Sequence, residues 1–174
     1  MRETDLVDNI RRLAGPSSLV RGIGDDCAIL RPRANEDLVF TSDFALEGRH
    51  FTRKTHTSAD IGHLALARSL SDIAAMGAEP VFCLVSLAMP PDFPVQRFFK
   101  SLLALAGKYK VTLAGGDLAR FDKVIADVIC CGRVPRGKAM LRSAARPGDR
   151  IYVTGKLGKP AHRPQPRAQA RVHL

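Results

Sequence analysis

The sequence predicts a mixed α+β domain in which a four-stranded sheet carries two long helices. Several apolar segments are rich in β-branched and aromatic residues, which is typical of strands. Two longer segments repeat apolar residues at helical spacing and alternate with the strands, so helices can cover the sheet. The predicted strands are residues 27–30, 38–43, 81–90 and 124–135, with a shorter strand at 111–117.

Helical periodicity is strongest in an Ala- and Leu-rich segment that Ser58 can cap and that Gly77, followed by Pro80, ends. A second long helix is predicted over residues 95–109. Its core face is formed by Phe98, Phe99, Leu102, Leu103 and Leu105. A shorter amphipathic helix is predicted over residues 4–13.

Composition and charge are those of an ordinary globular protein, with 45% hydrophobic and 25% charged residues. No apolar run reaches the roughly 20 residues that a membrane helix needs, and the N-terminus lacks the apolar stretch of a signal peptide. We therefore expect a cytoplasmic protein with no membrane partner. Half of the net charge of +10 comes from residues 155–174, which hold five bases and no acid. Without interleaved aromatic residues, this charge does not indicate a nucleic-acid partner.

The four cysteines, Cys27, Cys83, Cys130 and Cys131, show neither a CxxC pair nor metal-finger spacing. Each lies in an apolar run, where a free cysteine acts as a small buried hydrophobe. We expect buried free thiols, with disulfides or metal ligation as the less favoured alternatives.

Acidic residues stand next to two of the predicted strands. Asp26, beside Asp25, lies between a glycine turn and the first strand. Two adjacent carboxylates there indicate either a bound cation or a turn in which Asp bonds its own backbone. Thr41, Ser42 and Asp43 end the second strand and offer the hard oxygen ligands that Mg²⁺ prefers. A polar strand end without a ligand is the alternative.

Two further carboxylates have unusual surroundings. Asp72 lies inside an apolar helix, so its ionised side chain needs a metal or a cationic partner. Arg68, four residues earlier, offers a plain ion pair. Asp117 follows Gly115 and Gly116, which would let the backbone approach a phosphate closely. A glycine turn is common, however, and is weak evidence alone.

One histidine and one arginine are candidates with several interpretations. His50 fits a general base, a phosphate contact or a satisfied turn residue, and Arg142 fits a phosphate clamp or a plain surface arginine. Taken together, acids without paired Cys or His ligands indicate Mg²⁺ and a phosphorylated substrate. The chain has no GxxxxGK[ST] motif and no kinase-type glycine loop. Phosphate chemistry here would therefore use magnesium held by acids.

Five segments together resemble the N-terminal half of the thiamine-monophosphate kinase family, within the aminoimidazole ribonucleotide synthetase superfamily. They are GIGDDCAIL, TSDFALEGRHF, LALARSLSDIAAMGAEP, LAGGD and LRSAARPGDRIYVTGKLG. The resemblance implies transfer of the ATP γ-phosphate to thiamine monophosphate, giving thiamine diphosphate. It also implies an N-terminal domain of the superfamily type that forms a homodimer through its sheet. A non-catalytic nucleotide-binding remnant and another ATP-dependent synthetase of the same superfamily are the alternatives.

The resemblance further implies a role for each candidate residue, with Mg²⁺ as cofactor and ATP as co-substrate. The implied metal ligands are Asp26, Thr41, Ser42, Asp43, Asp72 and Asp117. The implied ATP contacts are Gly116, Asp117, Arg142 and Tyr109, and the implied contact to thiamine monophosphate is His50. No protein nucleophile is implied, because in-line phosphoryl transfer needs positioning and charge neutralisation. The chain departs from the family pattern at Ser69, Leu118 and Ala119.

Three regions follow from this resemblance. We expect residues 1–148 to form the ATP- and magnesium-binding dimerisation domain, and residues 149–158 to begin a second, truncated domain. Residues 159–174 hold three prolines and no aromatic residue, which predicts a disordered basic tail. Their Pro, Arg, Ala, Gln and His content is typical of GC-rich codons read out of frame, so we expect a frameshift after Gly158.

Overall fold

A computed structural model describes residues 3–151 of the chain. The helices are α1 (Glu3–Ala14), α2 (Ser58–Ala75) and α3 (Val95–Lys108), with a 3₁₀ turn at Arg142–Ala144. The strands are β1 (Glu36–Leu46), β2 (Glu79–Met89), β3 (Thr112–Arg120) and β4 (Ile125–Pro135). The predicted α+β class and all three predicted helices are confirmed. The predicted tail, residues 159–174, lies outside the described residues.

The four strands form one mixed sheet in the order β1-β4-β2-β3. Strand β4 pairs antiparallel with both β1 and β2, whereas β2 and β3 pair in parallel with α3 between them in sequence. A four-stranded sheet was expected, but one of its strands differs. The segment 27–30 is not a strand, since Ile29 makes only an isolated bridge with Arg21. Its side chains are largely exposed, so it has no apolar face to pack on the core, and β3 takes its place.

The cap of helix α2 lies one residue earlier than predicted. Thr57 caps it: the Thr57 hydroxyl accepts a hydrogen bond from the Asp60 amide at 3.2 Å, and the Asp60 carboxylate accepts one from the Thr57 amide at 2.8 Å. This reciprocal capping box satisfies two amides at the helix start, so Ser58 is the first helical residue instead of the cap.

Helices α2 and α3 pack together on one face of the sheet. Their backbones approach closely at Gly62, where an added β-carbon would lie 2.2 Å from the Phe98 carbonyl oxygen. Phe98, Ile61 and Leu66 are fully buried in the core. Ser69, one of the departures from the family pattern, is also buried and donates to the Val128 carbonyl of β4 at 2.8 Å. It therefore ties α2 to the sheet.

The face of the sheet opposite α2 and α3, here called the outer sheet face, carries polar and exposed aromatic side chains. It is formed by Phe40, Ser42 and Phe44 of β1, Asp127 and Ile129 of β4, and Leu84 and Ser86 of β2. Phe40 and Phe44 are 62% and 52% exposed. Large aromatic side chains at such exposure on a regular sheet indicate a surface suited to a partner.

Three of the four cysteines are buried free thiols, as expected: Cys83, Cys130 and Cys131. Cys27 is exposed, so the prediction of burial is wrong there, for the same reason that its segment forms no strand. Residues 3–141 belong to one compact unit, and a second unit begins at Arg142. The domain boundary expected after residue 148 stays a prediction. Among the described residues, no helix is both long and apolar enough to span a membrane.

Candidate nucleotide and metal site

A cleft of about 920 Å³ brings together three of the predicted site residues, Asp26, Gly116 and Asp117. It is lined by the loop of residues 23–28 and by strands β2 and β3, with apolar contributions from α1 and α3. The first glycine loop and the GGD segment are more than 85 positions apart in the sequence, yet they line one cavity. The arrangement combines acidic groups with exposed backbone, which suits a hydrated cation and an anionic ligand.

The two adjacent aspartates at the cleft have different surroundings. Asp25 accepts a hydrogen bond from the Asp26 amide at 3.1 Å and lies 3.5 Å from the Arg21 guanidinium. Among residues 3–151, no donor contacts the Asp26 carboxylate. Asp25 therefore fits the turn interpretation, and Asp26 keeps both carboxylate oxygens for a ligand. Across the cleft, Asp117 accepts one hydrogen bond, from the Leu118 amide at 2.9 Å.

Gly116 adopts a conformation that the strand pairing itself requires. Its φ is +154°, and an added β-carbon would lie 1.9 Å from the Val85 carbonyl oxygen on β2. A β-carbon added at Gly115 would contact only the Leu84 side chain, at 3.5 Å, which is an ordinary van der Waals distance. Close pairing of β2 and β3 thus explains one glycine of the GGD segment without any phosphate.

A second group of candidates, here called the helix-side cluster, lies between β1 and α2 and consists of Thr41, Asp43, Arg68 and Asp72. The Thr41 hydroxyl donates to Asp72 at 2.6 Å, and an Arg68 Nη2 atom donates to Asp43 at 2.9 Å. The ion pair that sequence spacing offered between Arg68 and Asp72 is replaced by one between Arg68 and Asp43. The reason is that Asp43 points toward α2 from the strand.

His50 lies close to the helix-side cluster. Its Nδ1 atom accepts a hydrogen bond from the Leu46 amide at 3.0 Å, which stabilises the turn after β1. Burial lowers the pKa of His50, the positive charges of Arg68 and Arg49 lower it further, and Asp43 opposes them. An Nδ1 atom that accepts from an amide carries no proton, so the neutral imidazole has its proton on Nε2, and Nε2 is the nitrogen left for a ligand.

The four candidate carboxylates fall into two places instead of one. In the sheet, Asp43 is paired with Val128, whose side chain is buried under the helices. Ser86 is paired with both Asp127 and Asp117, which places these two carboxylates on the outer side. Within residues 3–151, no group of three or more His, Cys, Asp or Glu side chains is close enough to hold a metal.

The donor chemistry nevertheless fits Mg²⁺ in both places. This ion keeps several waters and takes one or two carboxylates together with phosphate oxygens, so three protein ligands are not required. Asp26 and Asp117 meet that requirement in the cleft, and Asp43 and Asp72 meet it in the helix-side cluster.

Ser42 and Asp127 form a contact that sequence reasoning missed. Ser42 points to the outer face, and its hydroxyl donates to the Asp127 carboxylate at 2.7 Å. The sequence feature that could have indicated this contact is Asp127 itself, the single acid in the otherwise apolar segment IADVICC. Strict alternation places it on the face opposite the buried Ala126 and Val128.

Two predicted ATP contacts, Tyr109 and Arg142, lie in other parts of the chain. Tyr109 follows the end of α3 and lines a separate groove of about 510 Å³, together with Arg31 and Lys110. Arg142 belongs to the second unit, where it begins an exposed 3₁₀ turn.

Comparison with known proteins places this chain in a family. Residues 24–135 match the family described as AIR synthase related protein, N-terminal domain, and the chain belongs to that family. It is also similar to thiamine-monophosphate kinases. The protein from Bacillus subtilis (strain 168) is 38% identical over 166 residues, which cover 92% of this chain and 51% of that protein.

Solved structures show the same relationship. The thiamine-monophosphate kinase from Stenotrophomonas maltophilia K279a has 40% sequence identity and a TM-score of 0.69, and the match covers 80% of this chain and 45% of that one. AaThiL complexed with AMPPCP and TMP has 28% identity and a TM-score of 0.58, covering 84% of this chain and 47% of that one. The chain spans about half the length of the curated relatives it matches.

Proposed function

We propose that this chain carries the ATP- and magnesium-binding part of a thiamine-phosphate kinase, which transfers the ATP γ-phosphate to thiamine monophosphate and gives thiamine diphosphate. The cleft carries the proposal: among residues 3–151 no donor contacts the Asp26 carboxylate, and Asp117 lines the same cavity. The similarity to proteins named thiamine-monophosphate kinase, and to AaThiL complexed with AMPPCP and TMP, supports these substrates.

The proposed metal ligands belong to the two places described above. Asp26 and Asp117 would hold Mg²⁺ in the cleft, and Thr41, Asp43 and Asp72 would hold it in the helix-side cluster. Bound Mg²⁺ supplies neutralisation of the phosphate oxygens, the main requirement of phosphoryl transfer. Ser42 contributes through its backbone oxygen, since its hydroxyl is engaged by Asp127.

The remaining candidates act on the organic substrates. We assign the backbone at Gly116 to ATP and His50 Nε2 to thiamine monophosphate. Arg142 and Tyr109 stay predicted ATP contacts, and Tyr109 lies in the separate groove. These groups bind and orient the reactants, and orientation alone can account for about 7–11 kcal/mol of a reaction barrier. The residues proposed here include no nucleophile, because the phosphoryl group passes directly between substrates.

We propose further that two copies pair through the outer sheet face, with residues 1–148 as the dimerising domain. The exposed Phe40 and Phe44 support this, because a second copy of the same face would cover them. Among the described strands, β1 and β3 each have one edge without a neighbouring strand, which a partner sheet can also cover. Because ATP and thiamine monophosphate are charged and do not cross membranes unaided, we assign the reaction to the cytoplasm.

A nucleotide-binding protein without turnover is the second candidate, because the cleft with Asp26 and Asp117 serves nucleotide binding alone as well. The two are separated by a chimera that joins residues 1–151 to the C-terminal half of the Bacillus subtilis relative. A coupled assay then follows ADP release with and without thiamine monophosphate. We expect release that depends on thiamine monophosphate from the chimera, none from the chimera with Asp117→Asn, and none from this chain alone. ADP release that does not depend on thiamine monophosphate would contradict the assigned substrate.

A further inference from the structure

Arg68 makes an unusually incomplete contact for an arginine next to a carboxylate. One Nη2 atom donates to Asp43 Oδ1 at 2.9 Å, and no second bond completes a fork. Its Nε–H is buried and has no hydrogen-bond partner within the part of the chain that the structure describes. An arginine–carboxylate pair is strongest when two parallel hydrogen bonds form. The contact here therefore leaves a buried donor unsatisfied and is poorly held.

Among residues 3–151, Arg68 is the cation that pairs with Asp43, and no cation pairs with Asp72. Asp72 accepts its hydrogen bond from the neutral Thr41 hydroxyl. The side chains of Arg68 and Asp43 are 37% and 20% exposed, so both are accessible to a small cation from solvent.

We propose that Arg68 is a built-in competitor that sets the divalent-cation affinity of the helix-side cluster. This inference rests on the proposed function, because it concerns one of its two metal positions. In the metal-free protein the guanidinium neutralises Asp43. A divalent cation approaching the same carboxylate meets its positive charge and gains Asp43 fully only when Arg68 moves away. The single, unforked hydrogen bond makes that displacement easy.

The test measures Mn²⁺ binding by electron paramagnetic resonance, without nucleotide. Asp26→Asn and Asp117→Asn are present in every sample, so that the cleft does not contribute. In this background we expect Arg68→Gln to bind Mn²⁺ at least tenfold more tightly than the parent, and Asp43→Asn to lose binding. Arg53→Gln is the matched control, because Arg53 pairs with Asp92 at 2.6 Å and is 35% exposed. It should leave the affinity unchanged.

Unchanged or weaker Mn²⁺ binding in Arg68→Gln would overturn the inference, as would the absence of binding in both parent and variant. If Arg68→Gln does not fold, Arg68→Lys serves instead. Lysine keeps the charge, so Mn²⁺ affinity should stay within threefold of the parent, and a tenfold gain would contradict a charge-based competitor. ATP binding by the unmutated chain, measured in parallel, reports on the proposed function separately. Its absence would leave the Mn²⁺ comparison intact.

Discussion

Gly116 and Val85 stand so close across β2 and β3 that a β-carbon at position 116 would lie 1.9 Å from the Val85 carbonyl oxygen. Gly116→Ala must therefore part the two strands, in addition to placing alanine at an unfavourable φ of +154°. We expect the free energy of unfolding, measured with urea and circular dichroism, to fall by about 3 kcal/mol or more. Gly115→Ala is the control, with an expected loss below about 1 kcal/mol. Equal losses would show that close strand pairing does not explain Gly116.

His50 should titrate below its ordinary pKa of 6.5 in the folded protein, because burial and the charges of Arg68 and Arg49 disfavour the imidazolium. The unfolded chain then binds the proton more readily than the folded one. This histidine consequently destabilises the fold as the pH falls below 6.5 and has no such effect well above it.

Nuclear magnetic resonance of the imidazole resonances checks the sign of each contribution to the His50 pKa. Arg68→Gln removes a cause of lowering and should raise the pKa, whereas Asp43→Asn removes the opposing charge and should lower it further. A rise in Asp43→Asn would mean that Asp43 does not act on His50 as described.

One cysteine should react quickly with a thiol reagent, and the other three should react slowly. Cys27 is exposed, whereas burial raises the pKa of Cys130 to about 12 and that of Cys131 to about 11, and it raises the pKa of Cys83 as well. Because the thiolate is the reactive form, Ellman's reagent at pH 8 should label about one thiol quickly and the rest only in urea. Cys27→Ser should remove the fast phase. A second fast thiol in the native protein would contradict the burial of Cys83, Cys130 and Cys131.

The outer sheet face should hold the proposed dimer together. Phe44→Glu replaces an exposed aromatic side chain of that face with a charge opposite Asp127, and it should shift sedimentation equilibrium at micromolar concentration from dimer to monomer. Phe121→Glu is a suitable control, because Phe121 is 49% exposed on the turn between β3 and β4 and lies outside this face. A monomeric unmutated chain would contradict the proposal.

The fold was largely predictable because its signals are local. The apolar period of α2 and α3, and the apolar runs of β2 and β4, stand in the sequence itself. The segment around Ile29 was wrongly predicted as a strand, because a short apolar run has the composition of a strand. Only the folded structure shows that this segment pairs with no strand of the sheet. The cap at Thr57 was missed by one residue because the capping box with Asp60 competes with Ser58.

The candidate site was less predictable, since partners depend on which sheet face a residue occupies. Helical spacing suggested Asp72 for Arg68, but the neighbouring strand supplied Asp43 instead. Asp127 was not predicted as a site residue, because its partner, Ser42, lies 85 positions away in the sequence. The separation of the acids into cleft and helix-side cluster likewise follows from strand pairing, which the sequence does not show.

The proposed function depends on magnesium-dependent ATP binding in the cleft. Calorimetric titration of the chain with ATP should give binding in the presence of Mg²⁺ and none with EDTA. Asp117→Asn should weaken it at least tenfold, because Asp117 stands with Asp26 in the cleft. Asp122→Asn, on the exposed turn after β3, should have no effect. Failure to bind ATP, or binding that is indifferent to both Mg²⁺ and Asp117→Asn, would contradict the account.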